Sequence, residues 1–221
     1  MRPIIFARIA DMEYYRGITE TDKPFGAGSY VAETGMAHEC YNFKPELLDD
    51  PNGDEYCLGF VMFGGAIGPA DCEMHLEKMS GCEAMRRAET IDGVTVVFCA
   101  TSPGSHTMRV VGFYKNATAY RRMQWANFST VEDEEDIYEQ GYNFVAKKED
   151  CVLIPYTKRH SDSKWYVPQK NKNGSTFGFG RSNIWYASDA KTDSKVKNFV
   201  ERMIKSIDEY DGENLVEKGA I

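Results

Sequence analysis

Long apolar runs, paired metal ligands and a surplus of basic charge are what this chain lacks. No stretch approaches the roughly 18 apolar residues that span a bilayer, which excludes a transmembrane helix as a reading of the sequence. The first residues, MRPIIFARIADMEYY, carry two Arg and only a short apolar segment. A secretory leader needs a longer apolar stretch and a small-residue cleavage site, so a cytoplasmic chain is expected. Six cysteines are present, Cys40, Cys57, Cys72, Cys82, Cys99 and Cys151, but no CxxC pair. Cys72-x-x-His75 with Cys82 beyond it lacks a fourth ligand, so no metal is expected. Lys and Arg number 26 against 34 Asp and Glu, a net charge of -8. That balance counts against affinity that comes mainly from phosphate neutralisation. Gly-x-Ser-x-Gly, His-Glu-x-x-His and the Gly-Lys-Ser/Thr ending of a P-loop are missing. Gly26-x-Gly28 has no third glycine, so no dinucleotide site and no cofactor are expected. His38-Glu39-Cys40 has the wrong order for a zinc deaminase, and the second half of that motif is absent.

What is present centres on positions 94–121. The run 94–100, VTVVFCA, is continuous and rich in β-branched residues, so it reads as a buried strand. A turn-rich loop at 101–107 follows, and 108–114 is a second apolar run; together they predict a β-hairpin. The hairpin puts Phe113, Tyr114, Lys115 and Asn116 at the end of a central strand. Flat aromatic surface, a cation and an amide are the parts that hold a planar polar ligand such as a nucleobase. Taken alone, the stretch reads more readily as core aromatics followed by a solvated Lys-Asn turn.

Along the rest of the chain, strands are expected at 3–9, 56–63, 74–79 and 142–146, a strand or a short helical turn at 151–154, and another strand around Trp185. Asp11 is suited to cap a short helix. Glycine-rich loops are expected at 17–30 and 64–69, and the acidic stretches 46–55 and 131–136 read as solvated loops. Asn42, between Tyr41 and Phe43, either reads a base edge or faces outward while the two rings pack. Arg121 and Arg122 precede Trp125; Lys158, Arg159, His160 and Lys164 precede Trp165. Val196, Phe199, Val200, Met203, Ile204 and Ile207 recur at three and four, which predicts an amphipathic helix within 193–210. No linker and no solenoid repeat appears, so one domain is expected.

Four short motifs occur in order: Phe6-Ala-Arg-Ile, Glu39-Cys-Tyr-Asn-Phe43, Val111-Gly-Phe-Tyr-Lys-Asn-Ala-Thr118 and Phe179-Gly-Arg-Ser-Asn183. This set resembles a bacterial domain fused to HNH nucleases or helicases in restriction-like systems. More remotely it is similar to the PUA-like superfamily, with its EVE, YTH, ASCH and SRA members. The resemblance implies an α+β fold, a strongly bent mixed β-barrel over 1–189 flanked by helices. The segment 190–221 would be a C-terminal helix and tail packed on the same domain. It also implies a pocket for a flipped or single-stranded modified base in DNA, less so in RNA, with any nuclease or helicase effector on a separate chain. The base-binding residues it suggests are Tyr41, Asn42, Phe113, Tyr114, Asn116, Trp125, Trp165, Asn183 and Trp185. For phosphate it suggests Lys115, Arg121, Lys158, Arg159 and Arg181. A small hydrolase or nuclease using the same pocket, or a metabolite- or protein-binding module, are the competing readings; the acidic charge suits the last.

Overall fold

A computed structural model describes residues 2–26, 38–48, 50–64, 71–101, 103–104, 107–130 and 133–218, and the side chains of 129–138 are not considered. The fold is α+β. Eight strands form one mixed sheet: β1 (Ile4–Arg8), β2 (Pro45–Leu47), β3 (Glu55–Gly59), β4 (Thr90–Thr101), β5 (Met108–Thr130), β6 (Asp133–Lys147), β7 (Cys151–Leu153) and β8 (Ile184–Trp185). Two α-helices, α1 (Tyr156–Ser161) and α2 (Ser194–Asp208), complete the described elements with several 3-10 turns. The strand order is β2-β3-β6-β5-β4-β1-β8, with β7 on β5 beside β6. Only β1 and β4 run parallel; the other ladders are antiparallel.

The apolar run at 94–100 is explained by burial on both faces, the pattern of a strand covered on each side. Val94, Val96, Phe98 and Ala100 enter one core with Ile5, Ala7, Tyr114 and Phe144. Val97 and Cys99 enter a second core with Ile4, Phe6, Val110 and Phe113, which α2 covers through Val196, Phe199, Val200, Met203 and Ile207. The predicted C-terminal helix is therefore present, and Asp193 caps it by accepting from the Lys195 N–H.

Irregularities bend the sheet. The β4–β5 and β5–β6 ladders carry register shifts, and such bulges increase local twist. β5 changes partner along one edge, pairing with β7 at Gly112–Tyr114 and with β6 from Thr118 onward. Asn116 sits at the change, with φ +49. Asn tolerates that left-handed conformation better than most residues, and its Nδ2 donates to Asp150 Oδ1 at 3.0 Å. The sheet does not close: no described pairing joins β2 to β8. Its ends nevertheless meet, because Asn183 Nδ2, just before β8, donates to the Met62 carbonyl, just past β3, at 3.0 Å. A flat sheet of this strand order would hold those residues far apart.

Several local expectations are corrected. The segment 74–79 is not a strand but contains the 3-10 turn Leu76–Lys78. Its alternation arises because Met74, Leu76 and Met79 all reach the inner core. Asp11 caps no helix; it forms a bridge with Phe25. The carboxylate that accepts from the Glu13 and Tyr14 N–H groups belongs to Asp22. The acidic run is not a loop throughout, since β6 begins at Asp133 and 45–47 form β2. Residues 131–132, Gly28, Gly65, Gly68 and Pro69 lie outside the described residues.

Gly112 marks the tightest approach inside the sheet. A Cβ there would come within 2.4 Å of the Val152 carbonyl oxygen and 2.5 Å of Phe43 Cζ. Overpacking of this kind costs about 1–3 kcal/mol. Gly112→Ala is expected to lower unfolding stability by that amount in a urea titration; an unchanged midpoint would contradict the packing.

Candidate functional site at the open end of the sheet

Beyond Gly59 the chain leaves the ladder with β6, and buried backbone groups must find other partners. Side-chain amides supply them. Asn42 spans Phe60 completely, accepting from its N–H at 2.8 Å and donating to its carbonyl at 2.9 Å. Asn143 accepts from the Val61 N–H at 3.3 Å. Gln140 donates to the Leu58 carbonyl at 3.1 Å. Asn183 holds Met62 from the far end of the sheet. The strip 58–62 is thus fixed by four amides from three separate parts of the chain.

Aromatic rings gather on this strip. The 3-10 turn His38–Tyr41 sets the His38 ring 5.2 Å from Phe60 and 5.4 Å from Trp125, edge-on in both cases. His38 Nδ1 accepts from the Gly141 N–H at 3.3 Å. Burial lowers the His38 pKa against the opposing pull of Glu139, which suits an acceptor nitrogen on a neutral ring. Trp125 faces Gly141 across the β5–β6 ladder, where a Cβ would crowd its Cζ3 at 3.3 Å. The indole remains 47% exposed, although an exposed Trp loses the burial that usually stabilises so large a side chain.

Glu39 follows His38 on the same turn and is only 7% exposed. Its Oε1 accepts from the Ala10 N–H at 2.9 Å. Burial pushes its pKa up to about 7, and the Ala10 bond offsets that only in part. Nearby, Arg8 donates to the carbonyls of Gly180 and Ser182, and the Asn183 carbonyl accepts from the Arg8 N–H at 2.7 Å. These bonds tie the 180–183 loop to the end of β1 and leave the Arg181 side chain exposed.

The other residues singled out from the sequence are distributed differently. Phe113, Tyr114 and Trp165 are at most 1% exposed. Phe113 and Trp165 stack on each other in the outer core at 6.4 Å, and Tyr114 enters the inner one. Trp185 is half-buried against Phe6 and Phe199, at 4.7 and 5.6 Å. The three tryptophans therefore do not converge: two belong to the packing under α2, and Trp125 alone stands on the ribbon. Tyr41 is half-buried against Gly17. Asn42 and Asn116 have structural partners, as described above. Arg121 donates to the carbonyls of Ala88, Met74 and Met85 and pairs with Glu77 at 3.1 Å. Arg159 is fully buried. Both arginines spend their donors inside the protein, which corrects their assignment to phosphate. Lys158 and Arg181 are exposed, and Lys115 is half-buried.

Of the residues chosen from the sequence, the open end thus brings together Trp125, Asn183 and Asn42. It adds His38, Phe60 and Glu39, which sequence reasoning did not select. The signal for the first and last was the polar His-Glu pair between turn and strand. Among the described residues, no group of three or more His, Cys, Asp or Glu side chains is placed to hold a metal ion, and no helix is long and apolar enough to cross a membrane. No protein-family model, no curated protein and no solved structure matches the chain.

Proposed function

We propose that this protein is a non-catalytic reader of a modified nucleobase, in DNA rather than RNA, and that it binds the base at the open end of the sheet. The observation that carries the reading is Trp125, half-exposed and braced edge-on by His38 over the amide-held strip at Phe60. A rigidly supported indole facing solvent is a stacking platform, and base–aromatic stacking contributes about 1–3 kcal/mol per base. Arg181, on the loop tied to Arg8, is the cation nearest in sequence to Asn183 and serves a flanking phosphate. In this reading the bent sheet is a PUA-like domain. The effector of a modification-dependent restriction or defence system is a nuclease or helicase. The six unpaired cysteines suit a reducing, cytoplasmic setting.

A second reading, a small-metabolite module, is favoured by the net charge of -8 and by the withdrawal of Arg121 and Arg159 from the surface. The two readings separate on Trp125→Ala. For a base reader, this change weakens binding of a labelled short strand carrying the modified base about tenfold to a hundredfold, measured by fluorescence anisotropy at low salt. Equal binding by the variant and the parent would remove Trp125 from the site and overturn the reading.

A further inference from the structure

His38 is an ionisable ring in contact with the exposed indole, 5.4 Å from Trp125 and 5.2 Å from Phe60. Its Nδ1 accepts from the Gly141 N–H at 3.3 Å, and Gly141 lies opposite Trp125 across the β5–β6 ladder. One imidazole therefore steadies both the indole and the backbone that faces it. A ring nitrogen accepts only while it carries no proton, so the single proton of the neutral ring sits on Nε2. A second proton would set Nδ1, as a donor, against another donor. Gly141 is buried, and a buried N–H that loses its acceptor is costly. The charged ring would have to turn Nδ1 away from Gly141, and its edge contacts with Phe60 and Trp125 would not survive the turn. The charged group that acts on His38 is Glu139 of β6, which favours the protonated ring, while burial opposes it. Glu39, on the same turn, directs its Oε1 to the Ala10 N–H. Arg122 of β5 pairs with Glu73 at 2.6 Å, and the strip 58–62, LGFVM, carries no titratable side chain.

From this we infer that His38 is a positioning residue that ties the Trp125 face to pH: the indole is held for stacking while the imidazole is neutral and is let go when Nδ1 takes a proton. The release of Trp125 needs only the geometry; the loss of ligand with it rests on the base-reading function. If only the neutral form binds, affinity falls about tenfold for each pH unit below the midpoint. A histidine merely exposed beside a nucleic acid does the reverse, since its charge adds a phosphate contact. The sign of the pH dependence separates the two roles.

The test follows the fluorescence of Trp125, taken as the parent signal minus that of Trp125→Phe, from about pH 8 to about pH 4.5 without ligand. A step is expected with its midpoint below 6.5, the ordinary value for histidine. His38→Asn should abolish the step, because its Oδ1 accepts from Gly141 at every pH and takes no proton. Glu39 and Asp11, raised by burial to about 7 and about 6, remain in that variant, so the comparison isolates His38. A flat Trp125 signal in the folded parent overturns the switch, as does a step that persists in a His38→Asn protein that melts cooperatively. Binding is then measured with labelled short DNA strands carrying methylcytosine, hydroxymethylcytosine or methyladenine. A strand bound at about pH 8 should leave the parent with the midpoint of the fluorescence step and stay on His38→Asn. Binding by the parent that holds constant or tightens on acidification overturns the role of His38. A step in Trp125 with no binding of any of these strands supports the hold of His38 on the indole and overturns the base-reading function instead.

Discussion

Arg159→Ala is expected to destabilise the protein by about 3–5 kcal/mol, the cost of breaking a buried charged network by removing one partner. Arg159 projects from α1 into the interior. There its Nε donates to the Ile154 carbonyl at 2.6 Å, and its two terminal nitrogens donate to the carbonyls of Met12 and Glu13. Its guanidinium lies 3.8 Å from Asp11 Oδ1 and within 6 Å of the Tyr15 and Tyr156 rings. Removing it leaves three carbonyls without these donors and takes the cation away from a carboxylate already pushed up to about 6 by burial. Lysine cannot replace the planar fork that reaches three carbonyls at once, so Arg159→Lys should recover little. Arg159→Met with Asp11→Asn removes both charges and keeps volume, and should recover more than either single change. Chemical denaturation of the set checks this. A loss below about 1 kcal/mol for Arg159→Ala would mean that the 11–15 segment is not held through Arg159.

The second large effect is a dependence of stability on pH that resides in Glu39. Its ordinary value of 4.5 is raised to about 7 in the folded protein. Between those values the folded state holds a proton that the unfolded chain has released, so stability falls as pH rises. The contribution is fully present below about pH 4.5 and is lost by about pH 7. At about 1.4 kcal/mol per unit, the loss is about 3 kcal/mol. Asp11, raised from 3.8 to about 6, acts in the same direction over a lower window. His38, whose pKa burial lowers, acts in the opposite direction. The comparison with Glu39→Gln isolates the one group. The variant and the parent should unfold at similar denaturant concentrations at pH 4.5, and the variant should be more stable by about 3 kcal/mol at pH 8. Parallel curves across that range would contradict a Glu39 whose pKa burial raises.

Periodicity made the framework of this fold legible. The strand at 94–100 and the helix within 193–210 follow from apolar spacing, because each buries a continuous surface. The destination of single side chains did not follow. Lys158 and Arg159 are adjacent, yet one is exposed and the other fully buried, since α1 turns them to opposite sides. Trp165 and Trp185 look like binding residues beside basic or glycine-rich segments, but α2 covers the face on which they lie. Asn42 looked equally suited to a ligand and to the surface. It does neither, because the break in the β3 ladder at Phe60 needs its amide. Such breaks depend on how far two strands stay in register, which no local pattern encodes. Glu39 was legible only as part of a polar cluster; its burial follows from the 38–41 turn docking its carboxylate on the Ala10 N–H just past β1.

The most direct measurement is a tryptophan-fluorescence titration of the whole protein at low salt. The ligands are short DNA and RNA strands, plain or carrying methylcytosine, hydroxymethylcytosine or methyladenine. Trp165 and Trp185 are packed under α2, so the responsive signal should come from Trp125 and vanish in Trp125→Phe. A base reader quenches at least tenfold tighter with one modified DNA strand than with its plain counterpart, about 1.4 kcal/mol. No quenching by any strand, with the protein folded, would contradict the account and move the site to a metabolite or a protein partner.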